Sequence, residues 1–228
     1  MTRLVLAAAV GGLLTVERRA FLQAGLSRPL VASALLGACL GQLPAGLLVG
    51  APLELLFLGS ASLGAVLPEH ETLAACAVSA ASAQAAATLG ALSIPASCLA
   101  LLALLPLAVV GRKVDALENR VQQRYADRAM QFVEQRQYRK ALRMNWRGLG
   151  FPFGGGALTT AIGLGVGYGL AVLVPKLPVR AGPALTTSFV FAAAICAAAG
   201  VRGTRHPRGI ALALVSAVVT LGAVLWGG

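Results

Sequence analysis

The chain has 228 residues, of which 57% are hydrophobic and 12% are charged, and its mean hydropathy is +0.79. Soluble domains carry roughly 25% charged residues, so this composition leaves too little polar surface to cover a soluble globule. It excludes a soluble globular domain and predicts an integral membrane protein with several spans of about 20 residues. The apolar stretch at 4–14 is followed by Glu17, Arg18 and Arg19 without a small-residue cleavage site, so we expect a retained segment.

Apolar blocks follow one another along the chain, at residues 4–16, 30–50, 51–67, 72–92, 95–111, 151–174, 184–201 and 209–226. Pro44, Pro52 and several glycines interrupt the second and third blocks. Broken helices are tolerated in a membrane where protein or a water-filled cavity shelters the backbone. The sequence therefore predicts an all-α integral membrane protein, a multi-span helix bundle with broken or re-entrant helices in its first third.

The hydrophilic part of the chain is short and basic. Of the 19 Lys and Arg residues, 10 lie between Arg112 and Arg147, where only four carboxylates oppose them. The positive-inside rule explains such a stretch as a cytoplasmic loop, and no groove-reading motif accompanies it, so we do not expect nucleic-acid binding. We divide the chain into a membrane region at 1–111 with the candidate site, a basic cytoplasmic helical segment at 112–147 and C-terminal spans at 148–228.

Within the basic segment, apolar residues recur at steps of three and four, which predicts an amphipathic helix: Val114, Leu117, Val121, Tyr125, Ala129 and Phe132. We expect a break near Gln135, after which Tyr138, Leu142 and Trp146 continue the stripe. Such a helix would dock a protein partner or rest on the anionic headgroups of the lipid bilayer, and the sequence favours neither.

Other motifs have simpler explanations than chemistry. The pairs Gly37/Gly41, Gly46/Gly50 and Gly163/Gly167 have the spacing that lets membrane helices approach closely. The run 166–169 resembles a potassium-channel filter but lacks its Thr, so we interpret its glycines as packing residues. The four cysteines lie in apolar segments without ligand spacing. Since no phosphate loop or catalytic motif occurs, we predict no cofactor, and the adjacent residues Glu69, His70 and Glu71 do not favour a metal site.

Glu54 is the main candidate for a functional residue, because a carboxylate among apolar neighbours is expensive in hydrocarbon. A buried carboxylate of this kind can accept hydroxyl hydrogen bonds from a substrate. Alternatively, it can hold helices together through a backbone donor or through Arg28. The residues alone leave both interpretations open.

Residues 18–75 resemble a known transporter family. The motifs are Arg28-Pro29-Leu30, Leu40-Gly41-Gln42, a Gly-x-x-x-Gly segment at 46–54 that ends in Glu54, and a Gly-containing turn at 62–68 that ends in Pro68. Their spacing is similar, without gaps, to the IIC component of the mannose/fructose/sorbose class of sugar phosphotransferase systems. Ala126 and Asp127 in the hydrophilic stretch, and the three later apolar blocks, also resemble the family layout.

The resemblance implies a sugar-translocating IIC subunit in the bacterial inner (cytoplasmic) membrane, moving a hexose inward as part of an oligomer. The implied partners are a IID membrane subunit and the cytoplasmic IIA and IIB components. Because the phosphorylated histidines belong to IIA and IIB, the chain is expected to be a transporter subunit and not itself an enzyme. The implied substrate-binding residues are Glu54, Gln42, Ser60, Ser62, Glu69 and His70.

Three of these positions depart from the family pattern. Gln42 stands where Asp is usual, Ser62 where Asn is common, and His70 where Asp or Asn often follows the proline. Each departure keeps a polar group but removes or changes a charge. The alternative function is therefore a degenerate IIC that acts as a non-transporting membrane scaffold or regulatory partner of phosphotransferase proteins.

Overall fold

Nine α-helices make up almost all of the chain that the computed structural model describes, which is residues 1–19, 23–58 and 69–204. No strand occurs in these ranges, which confirms the all-α prediction. One 3₁₀ turn, Val174–Lys176, separates the last two helices. The helices are α1 Thr2–Arg19, α2 Pro29–Cys39, α3 Leu43–Leu58, α4 Glu71–Leu89, α5 Ile94–Leu104, α6 Leu107–Glu134, α7 Tyr138–Gly148, α8 Gly150–Leu173 and α9 Ala181–Thr204.

The first third contains the predicted short helices. With 11 and 16 residues, α2 and α3 are about 16 and 24 Å long, which is less than a hydrocarbon core of about 30 Å. The break between them lies at Leu40–Gln42, where Gly41 has φ +73° and the Gln42 N–H bonds the Gly37 carbonyl at 2.7 Å. Left-handed glycines end helices in this way.

The interruption expected at Pro52 does not break the helix, because Pro52 lies inside the continuous helix α3. Pro44 is near the start of α3, where an amide N–H has no helical acceptor and its loss costs little. A proline inside a membrane helix is tolerated when neighbouring helices shelter the freed carbonyl. Pro52 is buried, as this explanation requires.

Close helix approach at small residues holds the bundle together. A Cβ on Gly37 would meet the Gln42 carbonyl oxygen at 2.9 Å and the Gly46 Cα at 3.1 Å, so α2 and α3 touch backbone to backbone. On α8, Gly163 and Gly167 meet the backbone of α4 at Ala77 and Ala81. The predicted role of these glycines in packing is confirmed, except that Gly41 is a turn residue.

Helix α4 is the centre of the bundle. Its alanine-rich surface is buried along most of its length, and α2, α3, α5 and α8 pack around it. Within residues 1–19, 23–58 and 69–204, three helices are long and apolar enough to cross a membrane, or four if the bent α5–α6 pair is one span. The predicted block at 209–226 lies outside the described residues.

The basic segment forms a helical hairpin. Helix α6 follows α5 at a bend of 43° and already begins at Leu107, so one helix runs through residue 112. The predicted break near Gln135 is confirmed: α6 ends at Glu134, and Arg136 has φ 57°. Tyr138, Leu142 and Trp146 are all exposed, and the buried residues of α7 are Ala141 and Gly148.

The tight glycine contacts predict a contrast between two neighbouring positions of α8. We expect Gly163→Ala to lower the free energy of unfolding by about 1–3 kcal/mol, because its Cβ must displace the backbone at Ala77. Gly165→Ala is the matched control, since nothing lies within 4 Å of a Cβ there, and it should stabilise the helix by up to about 1 kcal/mol. Unfolding in detergent followed by circular dichroism measures both. Equal stability of the two variants would contradict the observed packing.

Candidate functional site: a polar layer at the ends of four helices

Charged side chains gather where α1 and α3 end, where α2 and α4 begin, and along the first half of α6. We call this group the polar layer; its residues are Glu17, Arg18, Arg28, Glu54, Glu69, His70, Glu71, Arg112, Asp115 and Glu118. Of the sequence-predicted site residues, Glu54, Glu69 and His70 lie in it. Ser60 and Ser62 lie outside the described residues.

Glu54 fixes α3 to the start of α2. Its Oε2 accepts a hydrogen bond from the Leu30 N–H at 3.2 Å, and its Oε1 lies 3.4 Å from Nη1 of Arg28. The Leu30 amide belongs to the first turn of α2, where N–H groups lack helical partners and favour an anion. The Glu54 side chain is 14% exposed and that of Arg28 is 66% exposed. The structure therefore contains both helix-holding contacts that the sequence left as an alternative.

The loop before α2 is built around a second carboxylate. Glu17, near the end of α1, accepts hydrogen bonds from the N–H groups of Gly25, Leu26 and Ser27 at 2.9, 3.3 and 2.8 Å. From α4, the Thr72 hydroxyl donates to the Ser27 carbonyl at 3.1 Å. A turn whose N–H groups all point at one carboxylate is tightly held. This loop therefore presents Arg28 to Glu54 from a fixed support.

The most buried ion pair of the polar layer joins α1 to α6. Nη1 of Arg18 lies 3.1 Å from both oxygens of Asp115, whose side chain is 0% exposed. The other guanidinium nitrogen, Nη2, donates to the Glu69 carbonyl at 3.2 Å. Arg18 therefore links the end of α1 to the segment before α4 as well as to α6.

His70 connects the start of α4 to the same pair. Its Nδ1 accepts a hydrogen bond from the Leu73 N–H at 3.3 Å, and its Nε2 lies 3.5 Å from Oδ1 of Asp115. Its backbone N–H also bonds the Ala108 carbonyl on α6 at 3.0 Å. The side chain caps α4 and is 1% exposed. The His70 side chain therefore has a structural role in the layer and is not accessible to solvent in this conformation.

Glu69 is the accessible member of this half of the layer. Its Oε1 lies 2.8 Å from Nη2 of Arg112, and both side chains are partly exposed. At the start of α4, Glu71 lies within electrostatic range of Glu54, Arg18 and Arg28. The charges around Glu54 and those around Asp115 therefore form one connected group.

The ligand atoms of His70, Asp115 and Glu118 lie within 4.8 Å of one another, close enough to suggest a metal site. The hydrogen bonds argue against a metal ion there. Because Nδ1 of His70 accepts the Leu73 N–H, the ring proton sits on Nε2, the only nitrogen that faces Asp115. Both oxygens of Asp115 already bind Arg18. These side chains are therefore arranged for hydrogen bonds and an ion pair with one another, and not for binding a metal cation.

Gln42 is not part of this layer. It lies in the turn before α3 with its carbonyl accepting from the Ala45 and Gly46 N–H groups, and about 18 Å along the helix axis separates it from Glu54. A single hexose cannot span that distance. Gln42 and Glu54 therefore do not form one sugar site in this conformation, although the sequence placed both in the same site.

Sequence reasoning missed Arg18, Asp115 and Glu118. One signal was available: Gly111, Asp115, Glu118 and Gln122 recur at steps of four, three and four, which places them on one face of α6. This face is buried at three of these positions, while the predicted apolar stripe is less covered. The partner of Asp115 lies 97 residues away along the chain, so its identity could not be read from spacing.

The bundle and its polar layer define a multi-pass, all-helical membrane protein with a charged site among short helices. A family model for the sorbose-specific IIC component of the sugar phosphotransferase system matches residues 1–171, three quarters of the chain. The chain therefore belongs to this family of membrane transporter components.

Two solved structures have the same fold. One, described as a membrane protein, is 18% identical with a TM-score of 0.67, and the match covers 99% of this chain and 95% of that chain. The other is a cryo-EM structure of the mannose transporter ManYZ in complex with a microcin, 19% identical with a TM-score of 0.55, covering 99% and 93%. No curated protein matches the chain.

The Arg18–Asp115 pair predicts a strong, non-additive effect on stability. Asp115→Leu alone should cost about 3–5 kcal/mol, because it leaves the Arg18 charge buried without its carboxylate. The double variant Arg18→Leu with Asp115→Leu should recover much of that loss. Unfolding in detergent measures the cycle.

Arg112→Gln is the control for this cycle. It breaks the partly exposed pair with Glu69, which should change the free energy of unfolding by no more than about 1 kcal/mol. Additive effects of the two leucine substitutions would show that the buried pair does not hold the layer together.

Proposed function

We propose that the chain is the sugar-translocating IIC subunit of a mannose-class phosphotransferase system and that it moves a hexose inward while IIA and IIB partners phosphorylate it. The observation that carries this proposal is the family match over residues 1–171. The polar layer supports it, since a charged site beside helices too short to span a bilayer is the arrangement expected at a transport site. The substrate named for the ManYZ structure makes mannose the first sugar to test.

Glu54 is the proposed sugar contact. Within the described ranges, each of its carboxylate oxygens has one protein partner, Leu30 or Arg28. A carboxylate oxygen has lone pairs for a second donor. Two neighbouring sugar hydroxyls can therefore bind without removing the Leu30 bond. Arg28, which is largely exposed, is the partner that a sugar would displace most cheaply.

The other proposed contacts divide into two groups. Glu69 is partly exposed and bound only to Arg112 among the contacts described here, so it is accessible to a ligand. Ser60 and Ser62 remain proposed hydroxyl contacts. His70 is buried against Asp115, and we propose that it positions Glu69, its neighbour in the chain, and does not bind sugar. Gln42 lies apart from these residues, directly before the first residue of α3.

The proposed assembly contains a IID membrane subunit, cytoplasmic IIA and IIB components and more than one copy of the complex, in the bacterial cytoplasmic membrane. The basic α6–α7 hairpin is then on the cytoplasmic side, as its ten Lys and Arg residues favour. The chain itself would carry no phosphoryl group. Its part would be to recognise and move the sugar.

A non-transporting scaffold is the second candidate function. The observation that favours it is the set of departures at Gln42, Ser62 and His70. The departure at His70 has a structural explanation, because the His70 side chain caps α4. Under this alternative, Glu54 serves only to join α3 to α2. The two functions therefore make different predictions for the same residue.

Uptake of labelled mannose separates a sugar contact at Glu54 from a purely structural one. The chain is expressed with its IID, IIA and IIB partners as wild type, Glu54→Gln or Arg28→Gln. Both variants lose the ion pair, but Glu54→Gln keeps an oxygen that can accept the Leu30 N–H. We expect Glu54→Gln to lower uptake at least tenfold, a loss of about 1.4 kcal/mol or more in sugar binding, and Arg28→Gln to lower it no more than about threefold.

Membrane insertion is checked for every variant, and sugar phosphate inside the cell is measured as the product. Equal uptake by the two variants would assign Glu54 to the ion pair alone. Wild-type protein that inserts and assembles, yet takes up no mannose, fructose, sorbose or amino sugar, would refute transport and favour the scaffold.

A further inference from the structure

A groove lies between α6 and α7, outside the contacts that the proposed function uses. Its volume is ≈ 720 Å³, within the range of about 300–1,000 Å³ that small-molecule sites occupy. Amide and aromatic side chains dominate its polar lining. The residues that carry the argument are Asn119, Gln122, Gln123, Tyr125, Asn145 and Trp146.

We propose that this groove binds the ring of a hexose, as a second sugar site on the cytoplasmic hairpin; the choice of sugar rests on the proposed function. A side-chain amide offers both donors and an acceptor, and so matches hydroxyl groups that donate and accept in turn. The flat faces of Tyr125 and Trp146 suit the apolar C–H face of a sugar ring. No described residue that lines the groove is charged, so the part of the ligand inside it is neutral.

The surroundings of the groove are strongly basic. Arg120, Arg124, Arg143 and Arg147 are exposed on the same two helices. Such a surface attracts anions and raises their local concentration. A hexose phosphate, with its ring in the groove and its phosphate towards the arginines, therefore fits as well as a free hexose, and the experiment tests both.

The groove also connects with the polar layer. Gln122, which lines it, donates to Oε1 of Glu118 at 3.0 Å, and Glu118 lies within 4.8 Å of the His70 and Asp115 ligand atoms. One turn of α6 therefore leads from the groove to the buried network.

Trp146 provides a direct test, because the chain has 2 tryptophans and Trp226 is the other. In the Trp226→Phe background, the emission of Trp146 reports on the groove alone. Purified protein in detergent is titrated with mannose, fructose, mannose 6-phosphate and fructose 6-phosphate, and glycerol serves as the control for solvent effects. We expect a saturable change with at least one sugar or sugar phosphate.

Two amide substitutions locate the binding. Asn145 is exposed, so Asn145→Ala should fold, and loss of its hydrogen bonds should raise the Kd about three- to tenfold. Gln131→Ala is the matched control, since it removes an exposed amide of α6 outside the groove lining and should leave the Kd unchanged. Equilibrium dialysis with labelled ligand confirms the Kd values independently of the fluorescence.

Glu54→Gln separates this inference from the proposed function. We expect it to lower uptake at least tenfold while the Trp146 titration stays as in wild type. If wild-type protein transports sugar and no ligand changes Trp146 emission saturably, or if Asn145→Ala and Gln131→Ala behave alike, the groove is not a sugar site and the transport proposal stands. If Trp146 responds and no sugar is transported, the transport proposal fails and the groove remains.

Discussion

The ion pair between Arg18 and Asp115 is the contact on which the arrangement of the polar layer depends. It joins the end of α1 to α6, and through Arg18 it also holds the Glu69 carbonyl in front of α4. A buried pair adds little net stability, because desolvation offsets most of its Coulombic energy. Removing either charge is nevertheless costly, because the other charge is then buried without a partner. We suggest that the ion pair fixes the positions of α1, α4 and α6 relative to one another. This role would explain why two charges that are costly to bury lie there.

The second constraint is that a lipid-facing backbone cannot leave its polar groups unpaired. Short helices create more ends than long spans do, and each end must find partners. In this chain, carboxylates supply several of them: Glu17 accepts three N–H groups of the loop before α2, and Glu54 accepts the Leu30 N–H. Glu17 and Glu54 therefore stabilise the short helices of the first third, because they pair N–H groups that would otherwise lack a partner.

The sequence predicted what depends on composition and local pattern. It located α4, α8 and α9 as long apolar helices, the break near Gln135 and the packing role of Gly163 and Gly167, because hydropathy, periodicity and small-residue spacing are local signals. It expected interruptions at Pro52 as well as at glycines, and of these positions Gly41, with its left-handed φ, ends a helix while Pro52 lies inside α3. It also missed Asp115, since a pattern shows which face of a helix is polar but not which distant residue will face it.

The contacts around Glu54 and those around Asp115 differ in strength in a way that matters for a transporter. The Arg28–Glu54 and Glu69–Arg112 pairs are partly exposed, so breaking them costs at most about 1 kcal/mol each. The Arg18–Asp115 pair is buried, and removing one partner is several times more expensive. If a sugar binds Glu54 as proposed, it is therefore expected to open the exposed Arg28–Glu54 pair and to leave the buried Arg18–Asp115 pair intact.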